Sequence, residues 1–171
     1  IIGGALLTIT RKSSATWVIP SENEWHKAAY HKNDGVTGNY WNYPTSSDVE
    51  PSSALGNSGN SATFIGSGWT IGYPYYRTEV GAHEGSSSPY GTFDQGGNVW
   101  EWNEFVVDGL CGRRGTSFSD DVRDLHAQAR SVSSSSYEGP VIGFRVAYIP
   151  EPTTLSLLGL GFLGLARKWR R

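Results

Sequence analysis

The sequence predicts an α+β domain that is coil-rich, with short strands and few helices. Three observations predict it. The chain of 171 residues holds 22 glycines and only 18% charged residues, so turn formers are abundant and helix formers scarce. One stretch, residues 21–32, carries a complete helix-start signature. The remaining apolar runs are short and alternate with a period of two, as half-buried strands do. The length suits one domain with a real core.

In chain order, "ALLTIT" (5–10) and "ATWVI" (15–19) read as short strands around a turn at "RKSS", the second ended by Pro20. Then "SENEWHKAAYHK" predicts the one clear helix. Ser21 is its N-cap, and Glu24 three residues on completes a capping box. Trp25, Ala28 and Ala29 form its apolar stripe, with His26 and Tyr30 on a neighbouring face. His26 and His31 read as surface or packing residues rather than ligands, because no third ligand lies at helical spacing.

Residues 33–88 show no sustained period, yet a compact domain does not leave so long a segment structureless. Tyr40, Trp41, Tyr43, Phe64, Trp69, Tyr73, Tyr75 and Tyr76 argue for an ordered coil layer pinned by buried rings. A Ser/Gly linker is the alternative. Further on, "RRGTSF" (113–118) and "VIGFRVAY" (141–148) read as strands. The segment between them is polar and Ser-rich and reads as an exposed loop, with Arg123 and Arg130 reaching back to carboxylates.

Charge and cysteine content exclude several function classes. The net charge is −2 and the only basic cluster is Arg167, Lys168, Arg170 and Arg171, so there is no surface for nucleic acid. Cys111 is the sole cysteine. It can form no intrachain disulfide and no Cys-based zinc site. No G-x-S-x-G elbow supports a serine hydrolase, and His83 and His126 read as isolated surface imidazoles. Residues 1–9 are apolar but lack a signal peptide's basic start. With no initial Met, the chain is expected to be a fragment.

The C-terminal residues 150–171 read "PEPTTLSLLGLGFLGLARKWRR". As a helix, the apolar part would reach about 18 Å, against a hydrocarbon core of roughly 30 Å. It is too short for a permanent anchor and too apolar for a surface, and its basic end would sit at a cytoplasmic face. "GLGFLG" within it is a formal G-x-G-x-x-G, but no strand-helix unit surrounds it and no acidic residue follows at ribose-binding distance. The order Pro-Glu-Pro, apolar run, basic end resembles the PEP-CTERM sorting signal of Gram-negative bacteria. That resemblance implies an apolar sorting helix, exosortase as partner, transient inner-membrane association and export to the cell surface or matrix.

Three further blocks fall in order: "IPSENEWHKAA" (19–29), "YGTFDQGGNVWEWNE" (90–104) and "RRGTSF…ARS…IGFRVAY" (113–148). Together they resemble the sulfatase-modifying-factor domain, the family of the formylglycine-generating enzyme. The resemblance implies a variant of the C-type-lectin fold over residues 1–149, truncated at its N-terminus, followed by the sorting signal at 150–171. It also implies a test of chemistry. Catalytic members hold copper on two cysteines in the segment after the "RGGSF"-like strand, where this chain reads "SDDVRDLHAQARS" without a cysteine. One thiol at Cys111 cannot supply the two-sulfur site that Cu(I) prefers, so no copper and no catalysis are expected.

A structural calcium is the cofactor that the resemblance does imply. Carried over position by position, its ligands are the Asp94 side chain, the Gly97 and Val99 carbonyls, and the Glu101 carboxylate. Hard oxygens around a Gly-Gly turn suit Ca²⁺. The alternative is a plain turn at "DQGGN" followed by an alternating strand, with Trp100 and Trp102 inward and Glu101 solvated or paired to Arg145. The expected function is a non-catalytic surface or biofilm-associated module. In it, loop 119–140 and the aromatic coil 64–76 would recognise a polysaccharide or protein. A metal-dependent oxidase acting on protein cysteine and a structural matrix protein stand as alternatives.

Overall fold

The computed structural model describes residues 10–56 and 59–149. The strand predicted over 5–9 and the sorting helix predicted in the tail lie outside these residues. The chain divides into two compact units. In the smaller, β1 (Trp17–Val18) pairs antiparallel with β6 (Ala147–Tyr148). The Trp17 and Tyr148 rings meet there at 5.2 Å, and the Ile149 N–H donates to the Thr16 carbonyl at 2.8 Å.

The larger unit holds Ile19–Arg145. Its helix α1 (Glu22–Tyr30) starts as the capping box requires. The Ser21 hydroxyl accepts from Glu24 N–H at 3.3 Å, and the Glu24 carboxylate accepts from Ser21 N–H at 2.7 Å. Glu22 and Glu24 also place negative charge on the positive end of the helix dipole. Nine residues are too few to hold helix alone, so packing must supply the stability. Trp25, Ala29 and Tyr30 are all buried. Tyr30 was expected beside the stripe rather than within it; its hydroxyl finds a partner in the Leu125 carbonyl at 3.0 Å, which lets the ring go inside.

The four-stranded sheet has the order β4-β3-β2-β5, built from β2 (Trp100–Val107), β3 (Leu110–Arg114), β4 (Ser131–Ser134) and β5 (Ile142–Phe144). β2 and β3 form a hairpin closed by Asp108 and Gly109, both at positive φ, the backbone that a two-residue hairpin turn demands. β3 pairs antiparallel with β4, and β5 lies parallel to β2.

Several expectations change here. The strand expected over 113–118 lies at 110–114, because Gly115 and Thr116 take positive φ and turn the chain. The strand expected over 141–148 is two strands, divided at Arg145 and Val146. On β2 it is Trp100, Glu101 and Asn103 that are buried, whereas Trp102 is half-buried. Loop 119–140 is not simply exposed. It contains β4 and a 3-10 turn at Val122–Leu125 that buries Leu125 completely. Arg123 and Arg130 do reach carboxylates, at Asp121 and Glu22.

The described residues of 33–88 are coil held by turns and isolated bridges, but of their Phe, Trp and Tyr rings only Tyr43 and Phe64 are buried. These join Ala62 and Leu125 in one core cluster, while Trp25, Ala29 and Tyr30 form another. Hydrogen bonds do the remaining pinning. His83, expected on the surface, is buried, with Nδ1 2.8 Å from Ser61 Oγ and Nε2 2.9 Å from Thr63 Oγ1. Thr63 Oγ1 in turn lies 2.7 Å from Thr78 Oγ1.

Two outcomes follow from this packing. Leu125→Ala opens a cavity at a fully buried position and is expected to cost about 2–5 kcal/mol in a denaturant titration. A loss within about 0.5 kcal/mol would show that the turn does not anchor this core. Burial also lowers the pKa of His83 and His26 below the ordinary 6.5. Such groups contribute stability that is fully present above the unfolded value and lost as pH falls through it. Stability measured by denaturation is therefore expected to decline from pH 6.5 towards pH 5, and less so in His83→Gln. A flat profile over that window would contradict the buried neutral imidazole.

Candidate functional site

The block 90–104 folds as a tight loop running into β2. Asp94, Gly97 and Asn98 all have positive φ. Gly97 passes so close to a neighbouring segment that a Cβ would stand 2.3 Å from the Thr63 carbonyl oxygen. Only glycine permits that approach. Backbone bonds then lock the crossing: Gly97 N–H donates to the Gly115 carbonyl at 2.6 Å, Asn98 N–H to Thr63 at 2.8 Å, and Phe118 N–H to Asn98 at 3.0 Å.

Glu101 is 6% exposed, and both its oxygens accept hydrogen bonds. Arg145 grips it bidentately, Nε to Oε2 at 2.5 Å and Nη2 to Oε1 at 2.6 Å. The Trp25 indole N–H donates to Oε2 at 2.6 Å. Arg145 Nη2 also reaches the carbonyls of Phe93 and Asp94, at 3.2 and 3.1 Å. One guanidinium thus spans the start of the loop and the strand that follows it.

Three of the four groups expected around calcium have protein partners. The Glu101 carboxylate faces Arg145 and Trp25. Asp94 Oδ2 accepts from Gly81 N–H at 2.6 Å, and the Gly97 carbonyl accepts from Val99 N–H at 2.8 Å. Among the described residues no group of three or more His, Cys, Asp or Glu gathers as a metal site. The donor chemistry at the Asp94 end nevertheless fits a hard cation. Among the described residues the hydrogen-bond partner of the Asp94 carboxylate is an amide N–H, and Asn98 Oδ1, in the same turn, is buried without one.

In the segment after β3, several carboxylates have structural partners or neighbours. Asp120 Oδ2 accepts from Trp100 Nε1 at 2.9 Å and from the Ser117 hydroxyl. Burial, with Asp120 and Asp121 nearby, raises the pKa of Asp124. Cys111 lies on β3 opposite Val106 and Ser133, and burial raises its thiol pKa, away from the reactive thiolate.

The exposed rings form an aromatic cradle of about 320 Å³. Trp69, Tyr75 and Tyr76 come from the coil, and Phe118 from the turn after β3. Trp69 and Tyr76 meet edge-on at 4.9 Å, and Tyr76 stacks on Phe118 at 6.1 Å. Of the polar loop expected to share this surface, Pro140 alone lines it. Arg77 also lines it; no motif in the sequence marked that residue, and only its place directly after Tyr75 and Tyr76 hinted at it.

Comparison with known proteins agrees with this fold. No curated protein matches the chain. A solved structure described as that of CarF superposes with a TM-score of 0.62 and 24% identity, over 88% of this chain and 54% of that one. Treponema denticola variable protein 1 superposes at 0.55 with 21% identity, over 78% of this chain and 48% of that one. The chain therefore spans about half the length of either. Residues 149–171 match the PEP-CTERM protein-sorting motif, a signal recognised by exosortase that marks export in bacteria. Residues 7–149 match the sulfatase-modifying factor enzyme 1-like domain, and the chain belongs to that family.

Proposed function

We propose that the domain is a non-catalytic carbohydrate-binding module, displayed at the bacterial surface or in a biofilm matrix after sorting, with the aromatic cradle as its binding face. The observation that carries this is exposure: Tyr75 in the cradle is 74% and Tyr73 beside it 85% exposed, with Trp69 half out as well. Clustered rings left in water mark an interaction surface. Their flat faces suit the apolar faces of sugar rings, and the phenol hydroxyls can hydrogen-bond the rims. The cavity volume falls in the range of small-ligand sites.

The absence of a second thiol in the sequence supports a binding role over cysteine oxidation. We also propose a structural calcium at the loop, held by the Asp94 side chain with the Gly97 and Val99 carbonyls, and with Glu101 shared with Arg145. Its contribution would be to neutralise Asp94 and stiffen the turn.

Titrating the full chain against a panel of oligosaccharides, followed by tryptophan fluorescence, is expected to give saturable binding. Trp69→Ala and Tyr75→Ala should each lose about 1–3 kcal/mol of it by analogy with base stacking on rings, without change in melting temperature. Unchanged affinity in both variants would remove the cradle from the reading. Binding to a protein partner and to no sugar would replace it. Turnover of a cysteine peptide with copper and oxygen consumption would establish the oxidase instead. For calcium, chelation is expected to lower the melting temperature of the wild type and not of Asp94→Asn. Identical curves with and without chelator would rule the ion out.

A further inference from the structure

The cradle contains one charge. Of the residues that line it, Arg77 alone is ionised. Its guanidinium is held in place rather than swinging free: Nη1 donates to the Pro140 carbonyl at 2.9 Å, and Cζ lies 6.0 Å from the centroid of the Phe118 ring. Among the described residues its polar partner is that carbonyl, and no carboxylate answers its charge. Nε and Nη2 are thus left to point their N–H groups elsewhere. The residue itself is exposed at the cradle's edge.

A pre-positioned guanidinium with unused donors beside stacked rings has a specific chemical complement. Its planar fork matches a carboxylate with two parallel hydrogen bonds, which a neutral hydroxyl cannot reproduce. The rest of the domain carries an acidic excess once the basic tail is set aside. That excess gives no general attraction for anions, so the pull on a carboxylate is local to Arg77. We propose that the cradle selects a uronic-acid residue of an acidic polysaccharide, its ring against Trp69 and Tyr75 and its carboxylate on Arg77. This rests on the reading of the cradle as a carbohydrate site.

The test uses calorimetry on the full chain at 0.15 M salt with three probes: a galacturonic acid tetrasaccharide, a galactose tetrasaccharide and a sulfated galactose tetrasaccharide. The uronate is expected to bind about tenfold more tightly than the neutral sugar, the margin of one charge-assisted pair. Arg77→Gln should abolish that margin, so that uronate and neutral sugar bind equally, whereas Trp69→Ala should weaken all binding and leave the margin. Equal affinity for uronate and neutral sugar, a margin that survives Arg77→Gln, or tighter binding of the sulfated probe would each overturn the proposal while leaving the carbohydrate reading in place. Binding of none of the three would overturn both. An unchanged melting curve for Arg77→Gln shows that the variant is folded.

Discussion

The buried carboxylate of Glu101 is the constraint around which the larger unit is arranged. A charge taken out of water is costly unless it is paired and hydrogen-bonded, and Glu101 meets that demand with three donors from two other segments. Trp25 brings α1 to the sheet, and Arg145 brings the end of β5. Arg145, the residue after β5, also reaches the carbonyls of Phe93 and Asp94. Removing either member of a buried pair typically costs roughly 3–5 kcal/mol.

A second charged tie reinforces the first. Arg114, also buried, donates to Glu22 at the start of α1 and to the carbonyls of Ala127 and Ala129. The helix is therefore fixed to the sheet at two points by charge, with Trp25 and Ala29 packed between. From β2 the order passes outward through Gly97 and Thr63 to His83 and Thr78. This polar chain holds the coil that carries Trp69 to Tyr76. Because hydrogen bonds rather than buried rings pin that coil, several of its aromatic side chains remain exposed.

The legible part of the fold is local. Ser21 and Glu24 announce α1 because a capping box is closed within four residues. The sequence misplaces what depends on distant partners. Tyr30 is buried because a carbonyl 95 positions away accepts its hydroxyl. His83 is buried because hydroxyls at Ser61 and Thr63 satisfy both ring nitrogens. The rings of 69–76 look like core by composition, yet the short apolar elements of this chain give them nothing to be buried under. Arg77 carried no motif, since a lone arginine becomes selective only beside the rings it is folded against.

The sequence by itself determined the family, the sorting tail, the single capped helix and the lack of a second thiol, because each is written in contiguous residues or in counts. Only the tertiary structure decided that Glu101 answers to Arg145 and Trp25, that Asp94 meets the Gly81 amide, and that Phe118 joins Trp69 and Tyr76 in one cradle. These pairings join residues tens of positions apart. No period or short motif specifies them; they are chosen by which buried charge, amide or ring must find a partner once the chain has closed.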